Sequence, residues 1–159
     1  MRLTVVCAGK LKERWLREGV AEYLKRLTPY AKVDIKEIHE EKMPDDPSPA
    51  EKEQVLTREG ERLLHLVPAG DYLVVLDVYG QQLSSEEIAA RMADLALHGT
   101  SSITFLIGGA FGLSCEVRQR ADALLSLSRL TMTHQMTRLL LVEQIYRSYK
   151  INRGEKYHW

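Results

Sequence analysis

The sequence predicts an α/β fold, a parallel-rich sheet with helices on both faces, in a single domain spanning residues 1–159. Three observations predict it. Short apolar runs alternate five times with segments of helical periodicity, the order that βαβ units require. Two of the helical segments open on a Ser-x-x-Glu capping box. At 159 residues the chain can enclose one hydrophobic core, and two full domains would be cramped.

Each element follows from local pattern. Leu3–Ala8 is an apolar run closed by Gly9, the signature of a buried strand. From Glu13 onward, Leu16, Val20, Tyr23, Leu24 and Leu27 recur at helical spacing until Pro29 stops the helix. Val33 to Ile38 alternates apolar with charged residues, a strand with one solvated face. His39–Pro49 carries Pro44, Pro47, Pro49 and several acids, and reads as a loop. Ser48 then caps a helix, with Pro49 in its first turn and Glu51 reaching back to the cap. Val55, Leu56, Leu63, Leu64 and Val67 are its apolar stripe, and Pro68 and Gly70 end it.

Tyr72–Val78 is an apolar strand interrupted by Asp77, after which Gly80 turns the chain. Ser84 and Glu87 repeat the capping box and open a helix through Leu97. Ile103–Ile107 is the fourth strand and runs straight into Gly108-Gly109-Ala110-Phe111-Gly112. A short helix from Ser114 to Ala121, a fifth strand at Leu124–Leu127 and a long helix from Gln135 to Ile151 complete the order. The long helix is apolar on more than one side, which implies burial against two partners.

Lys and Arg number 22, as do Asp and Glu, so the formal net charge is zero. That excludes a uniformly basic nucleic-acid binder. The charge is nevertheless partitioned: residues 1–36 carry net +5, residues 37–128 net −9, and residues 129–159 net +4. No run approaches the length of a membrane span, and the N-terminus lacks the pattern of a signal peptide, so a cytoplasmic protein is expected. Cys7 and Cys115 have no paired spacing and form neither a disulfide framework nor a metal site; no metal is expected.

Ligands in open α/β sheets bind beyond the carboxyl ends of strands. Three such ends stand out: Leu76-Asp77, Gly108–Gly112 and Ser126–Thr133. The glycine segment fits either a close backbone approach to a ligand or a tight turn before a helix. It matches neither a dinucleotide fingerprint nor a P-loop. In Ser126–Gln135, hydroxyl residues alternate with aliphatic ones, as in a loop that wraps an apolar, hydrogen-bonding ligand such as adenine; a polar loop capped by Thr133 is the alternative. The tail interleaves Arg147, Lys150, Arg153 and Lys156 with Tyr157, His158 and Trp159, a mixture suited to phosphate contacts and base stacking, or to a solvated end.

The segments S-L-S-R-L-T-M-T-H-Q, R-L-L-L-V-E-Q-I-Y-R and R-G-E-K-Y-H resemble the ribosomal RNA large-subunit methyltransferase H family of SPOUT methyltransferases. V-C-A-G-K-L-K-E, Y-L-V-V-L-D-V and L-I-G-G-A-F-G fit as well, so the resemblance spans the whole chain. It implies a C-terminal trefoil knot, a homodimer, and methyl transfer from S-adenosylmethionine to N3 of pseudouridine 1915 in the 23S rRNA of the ribosome. By the same resemblance, the cofactor would be bound by Leu76, Gly108, Leu127, Ser128, Arg129, Leu130, Thr131 and Met132. The catalytic, target-side residues would be Arg147, Tyr157 and His158, with His158 the candidate base. The chain departs from the family pattern at Trp159, where a basic residue is usual, and at Met132-Thr133, where Phe-Pro is common.

Overall fold

Ten elements alternate along the chain: β1 (Arg2–Ala8), α1 (Arg14–Leu27), β2 (Lys32–Ile38), α2 (Pro49–His65), β3 (Tyr72–Gln82), α3 (Ser85–Leu97), β4 (Ser102–Ile107), α4 (Cys115–Arg120), β5 (Ala123–Ser126) and α5 (His134–Asn152). The computed structural model describes residues 1–159. The strands form one sheet in the order β2-β1-β4-β3-β5, and every pairing is parallel. A parallel pair needs a long crossover, and the helices supply those crossovers.

Alternation along the strands builds two cores. Leu3, Val5 and Cys7 of β1 face one side with Val74 and Leu76 of β3, beneath Leu141 and Ile145 of α5 and Met92 of α3. Val6, Ala8, Leu73 and Val75 face the other side, against Leu63 of α2 and Val117 of α4. Successive side chains point to opposite faces of a strand, so one apolar run serves both layers. Helices α1, α3 and α5 pack together on the first face, and α2 pairs with α4 on the second. Cys7 lies wholly in the first core, where burial pushes its thiol up to about 12, and it acts as a small apolar residue.

The caps form as the sequence implies. Ser48 and Ser84 each accept the amide of Glu51 and Glu87, and each glutamate accepts the cap's own amide. Thr133 caps α5 by accepting from the Met136 amide.

Gly80 does not turn the chain. β3 runs on to Gln82, and its pairing with β5 shifts register between Leu76 and Gln81. Gly80 sits inside that irregular stretch. A Cβ there would lie 2.7 Å from the backbone of Leu124 and Leu125, so only glycine admits the close approach. β5 is Ala123–Ser126, one residue earlier than the apolar pattern suggests; the Ser126 hydroxyl donates to the Ser128 carbonyl as the chain leaves the sheet.

Arg138 of α5 is completely buried. Its guanidinium donates to the Glu37 carboxylate on β2 and, at 2.9 Å, to the carbonyl of Gly9 just after β1. Removing one member of such a pair leaves the other charge poorly compensated. Arg138→Ala is expected to cost about 3–5 kcal/mol, measured by urea denaturation at fixed protein concentration.

Candidate active site

In the sheet, β4, β3 and β5 are neighbours, so the three strand ends picked out in the sequence lie side by side. Above them opens a cleft of about 980 Å³. One wall is Leu76, Asp77 and Tyr79 from β3, another is Gly108–Leu113, and a third is Leu125–Ser128 with Leu130–Thr133. Lys12, Glu40, Lys52 and His134 extend it toward the ends of β1 and β2. Seven of the eight expected cofactor residues line this cleft: Leu76, Gly108, Leu127, Ser128, Leu130, Thr131 and Met132. Arg129 does not; it is exposed outside. A second cavity of about 220 Å³, between α3 and the sheet, has almost wholly apolar walls and few groups for chemistry.

The cleft walls are held from behind. Asp77, buried, accepts from Arg118 Nε at 2.6 Å and from the Tyr79 amide at 3.1 Å. The glycines of the third wall's neighbour are explained by packing. A Cβ on Gly108 would meet Leu113 at 2.6 Å, and one on Gly109 would meet the Glu59 carboxylate at 2.8 Å. The segment is therefore a tight turn whose surface forms a cleft wall. In the loop after β5, the amides and carbonyls of residues 128–132 enter no backbone–backbone hydrogen bond. The Leu130 amide instead donates to the Ser128 hydroxyl. Such a loop presents both donors and acceptors to whatever fills the cleft.

His134 begins α5 at the inner edge of the cleft, with Nε2 3.2 Å from Glu40 and Nδ1 buried without a partner. Burial holds its basicity below the usual histidine value, with the Glu40 carboxylate opposing that shift.

The three residues expected on the target side come together elsewhere. Glu143 accepts from Arg147 at 2.6 Å and from the Tyr157 hydroxyl at 2.9 Å. The Arg147 guanidinium lies 4.8 Å from the centre of the Tyr157 ring. Arg147 Nη1 is 3.2 Å from His158 Nδ1, and His158 Nε2 is 2.8 Å from Glu86 at the start of α3. A guanidinium only donates, so Nδ1 is the acceptor and Nε2 carries the proton given to Glu86. In this arrangement both ring nitrogens of His158 are engaged. Tyr23 of α1 and Tyr146 of α5 pack against Tyr157, which anchors the tail to the helices.

The cleft and the tail cluster do not meet within the chain. None of Arg147, Tyr157 and His158 lines the cleft. From His134 to Arg147 along α5 is about 20 Å at ~1.5 Å per residue. Glu143, the hub of the tail, and Glu59, behind the glycine turn, escaped the sequence reading; both looked like ordinary helix acids. The two basic ends of the chain do converge, since α1 packs beside α5.

A family model described as "Predicted SPOUT methyltransferase" matches residues 1–158. The chain is similar to proteins named "Ribosomal RNA large subunit methyltransferase H". That of Symbiobacterium thermophilum is 54% identical over 160 residues, that of Carboxydothermus hydrogenoformans 51% over 158, and that of Streptococcus gordonii 48% over 158. Each alignment covers 99% of both chains.

Glu86 gives the tail a measurable signature. Its carboxyl is held at about 2, first by its own backbone N–H and next by His158. A depressed carboxyl stabilises the folded form above the ordinary carboxylate range and loses that contribution as pH falls toward about 2. Carboxyl-carbon NMR is expected to find this low midpoint, and His158→Ala to raise it part of the way. An unchanged midpoint would mean the tail does not rest on Glu86.

Proposed function

The chain belongs to the SPOUT methyltransferase family, among the ribosomal RNA large subunit methyltransferase H proteins, and from that premise we propose that it methylates N3 of pseudouridine 1915 in 23S rRNA. The observation that carries this reading is the convergence of seven expected cofactor positions on one cleft whose loop, residues 128–132, makes no backbone–backbone hydrogen bond. S-adenosylmethionine fits that donor set: hydrogen-bonding backbone at residues 128–132 for adenine, and apolar walls at Leu76, Leu127 and Leu130. When bound it supplies an electrophilic methyl group. Arg129 lies outside the cleft lining, its exposed side chain free for a phosphate.

The chain's own residues align the target and manage one proton. N3 must lose its proton to accept the methyl group of S-adenosylmethionine held by the cleft residues. The N3 proton leaves to a base. His158 takes that role once a nitrogen is released from Arg147, and the freed guanidinium then faces the developing imide anion. Tyr157 holds Arg147 in place through its ring and through Glu143.

Because the tail and cleft of one chain stand apart, the complete site forms in a homodimer, where one subunit's tail meets its partner's cleft. Exposed Leu130, Tyr79 and Phe111 at the cleft mouth offer apolar surface for such a contact. The adjacent basic ends on α1 and α5 form the RNA-facing side, in keeping with a ribosomal substrate in the cytoplasm. The path from β5 around the cleft and back beneath α1 and α3 is the segment that would carry the family's C-terminal trefoil knot.

Labelled S-adenosylmethionine should transfer its methyl group to 23S rRNA in ribosomal particles; binding titrations without RNA should show cofactor affinity. No heat and no transfer would remove the reading. Thr131→Arg and His158→Ala are each expected to be inactive alone. Mixed and allowed to exchange, they should recover roughly a quarter of wild-type activity, since one site in each mixed dimer is intact. No recovery would place the whole site within one chain.

A further inference from the structure

Behind the glycine turn lies a carboxylate that methyl transfer does not use. Glu59, on α2, is buried, with only 6% of its surface exposed, and no cation pairs with it. Its Oε1 accepts the Gly109 amide at 3.0 Å, and its Oε2 lies 3.4 Å from the Glu41 amide. These amides belong to two different loops, one after β4 and one after β2. Both loops reach the cleft, through Gly108–Leu113 and through Glu40.

The fit is tight from both sides. A Cβ on Gly109 would strike the carboxylate, and one on the adjoining Gly60 would strike the Ser114 hydroxyl at 2.4 Å. Helix α2 is therefore pressed onto the turn through Glu59 and Gly60. We propose that Glu59 is a positioning residue, its two oxygens tying the glycine turn to the loop after β2 and so setting the width of the cofactor cleft. The proposal rests on the cofactor reading above.

Only a carboxylate suits the position. Two backbone N–H groups need two acceptors, and a glutamine would turn its amide N–H₂ toward one of them. The two amide donors favour the carboxylate form against unfavourable surroundings. Burial raises the Glu59 carboxyl above its ordinary value, the Gly109 and Glu41 amides oppose that shift, and the neighbouring Glu40 and Glu41 add to it. Glu41 is itself paired with Arg62. The glycine turn, residues 108–113, carries no charged side chain. Acidification should protonate Glu59 before ordinary carboxylates, convert one acceptor to a hydroxyl, and loosen one loop.

The test uses Glu59→Gln in the full chain, with two readouts. In unliganded protein, the amides of Gly109 and Glu41 should exchange with solvent about tenfold faster than in wild type, the loss of one charged hydrogen bond. S-adenosylmethionine should bind about tenfold more weakly. Wild-type affinity should fall on acidification, while the variant's affinity stays flat across the same range. Gly109→Ala strains the contact from the turn side and should reproduce the weaker binding if Glu59→Gln does not fold. Unchanged exchange at both amides, or wild-type affinity with the wild-type pH profile, would overturn the proposal. Failure of wild type itself to bind the cofactor would sink the cofactor reading, with amide exchange still deciding whether Glu59 ties the loops.

Discussion

The buried guanidinium of Arg138 is the contact on which the remaining arrangement depends. It reaches from the first turns of α5 to the Gly9 carbonyl and the Glu37 carboxylate, at the carboxyl ends of β1 and β2. The last helix is thereby fastened to the two earliest strands. A guanidinium keeps its charge, so the cost of burying it is met only by close acceptors. Once that geometry is set, His134 must lie at the strand ends, 3.2 Å from Glu40. The loop from Leu127 to Thr133 has both ends defined, one by β5 and one by α5. A loop so constrained can hold its shape with no backbone–backbone hydrogen bond at residues 128–132, side-chain hydroxyls of Ser126 and Ser128 taking part of that role.

The same helix separates two kinds of chemistry. Its start borders the cleft and its end carries Arg147 in the cluster with Tyr157 and His158. Helix α5 is held along its length by Leu141 and Ile145 in the core and by tyrosines of α1 and the tail. A rigid rod of this kind fixes the distance between the cleft and the tail cluster. Within one chain the two groups of residues stay about 20 Å apart along α5, at ~1.5 Å per residue.

Much of the fold was legible because its signals are local. Capping boxes at Ser48 and Ser84 and alternation in β1 and β3 depend only on near neighbours along the chain. The strand-end rule likewise located the cleft without any three-dimensional information. What escaped depends on remote partners. Gly80 looks like a turn residue until the backbone of Leu124 and Leu125 is seen against it. Glu59 and Glu143 are unremarkable acids in helical sequence, and only packing shows one buried under two amides and the other joining Arg147 to Tyr157. The partner of a buried charge is set by tertiary structure, and composition carries no record of it.

The net charge of zero acquires a physical meaning in this fold. The basic opening and closing segments fold onto neighbouring helices, α1 and α5, while the acidic middle supplies much of the rest of the surface. Several of these cations are matched locally, as Arg26 is by Glu22 and Arg147 by Glu143. Local matching lowers the general attraction to polyanions, which screens over roughly 8–10 Å at physiological ionic strength. It leaves guanidinium groups oriented by their partners, ready for a structured target that brings a phosphate to the right place. A surface of that kind discriminates by geometry more than by charge, and selection of a single nucleotide within a folded RNA calls for such a surface.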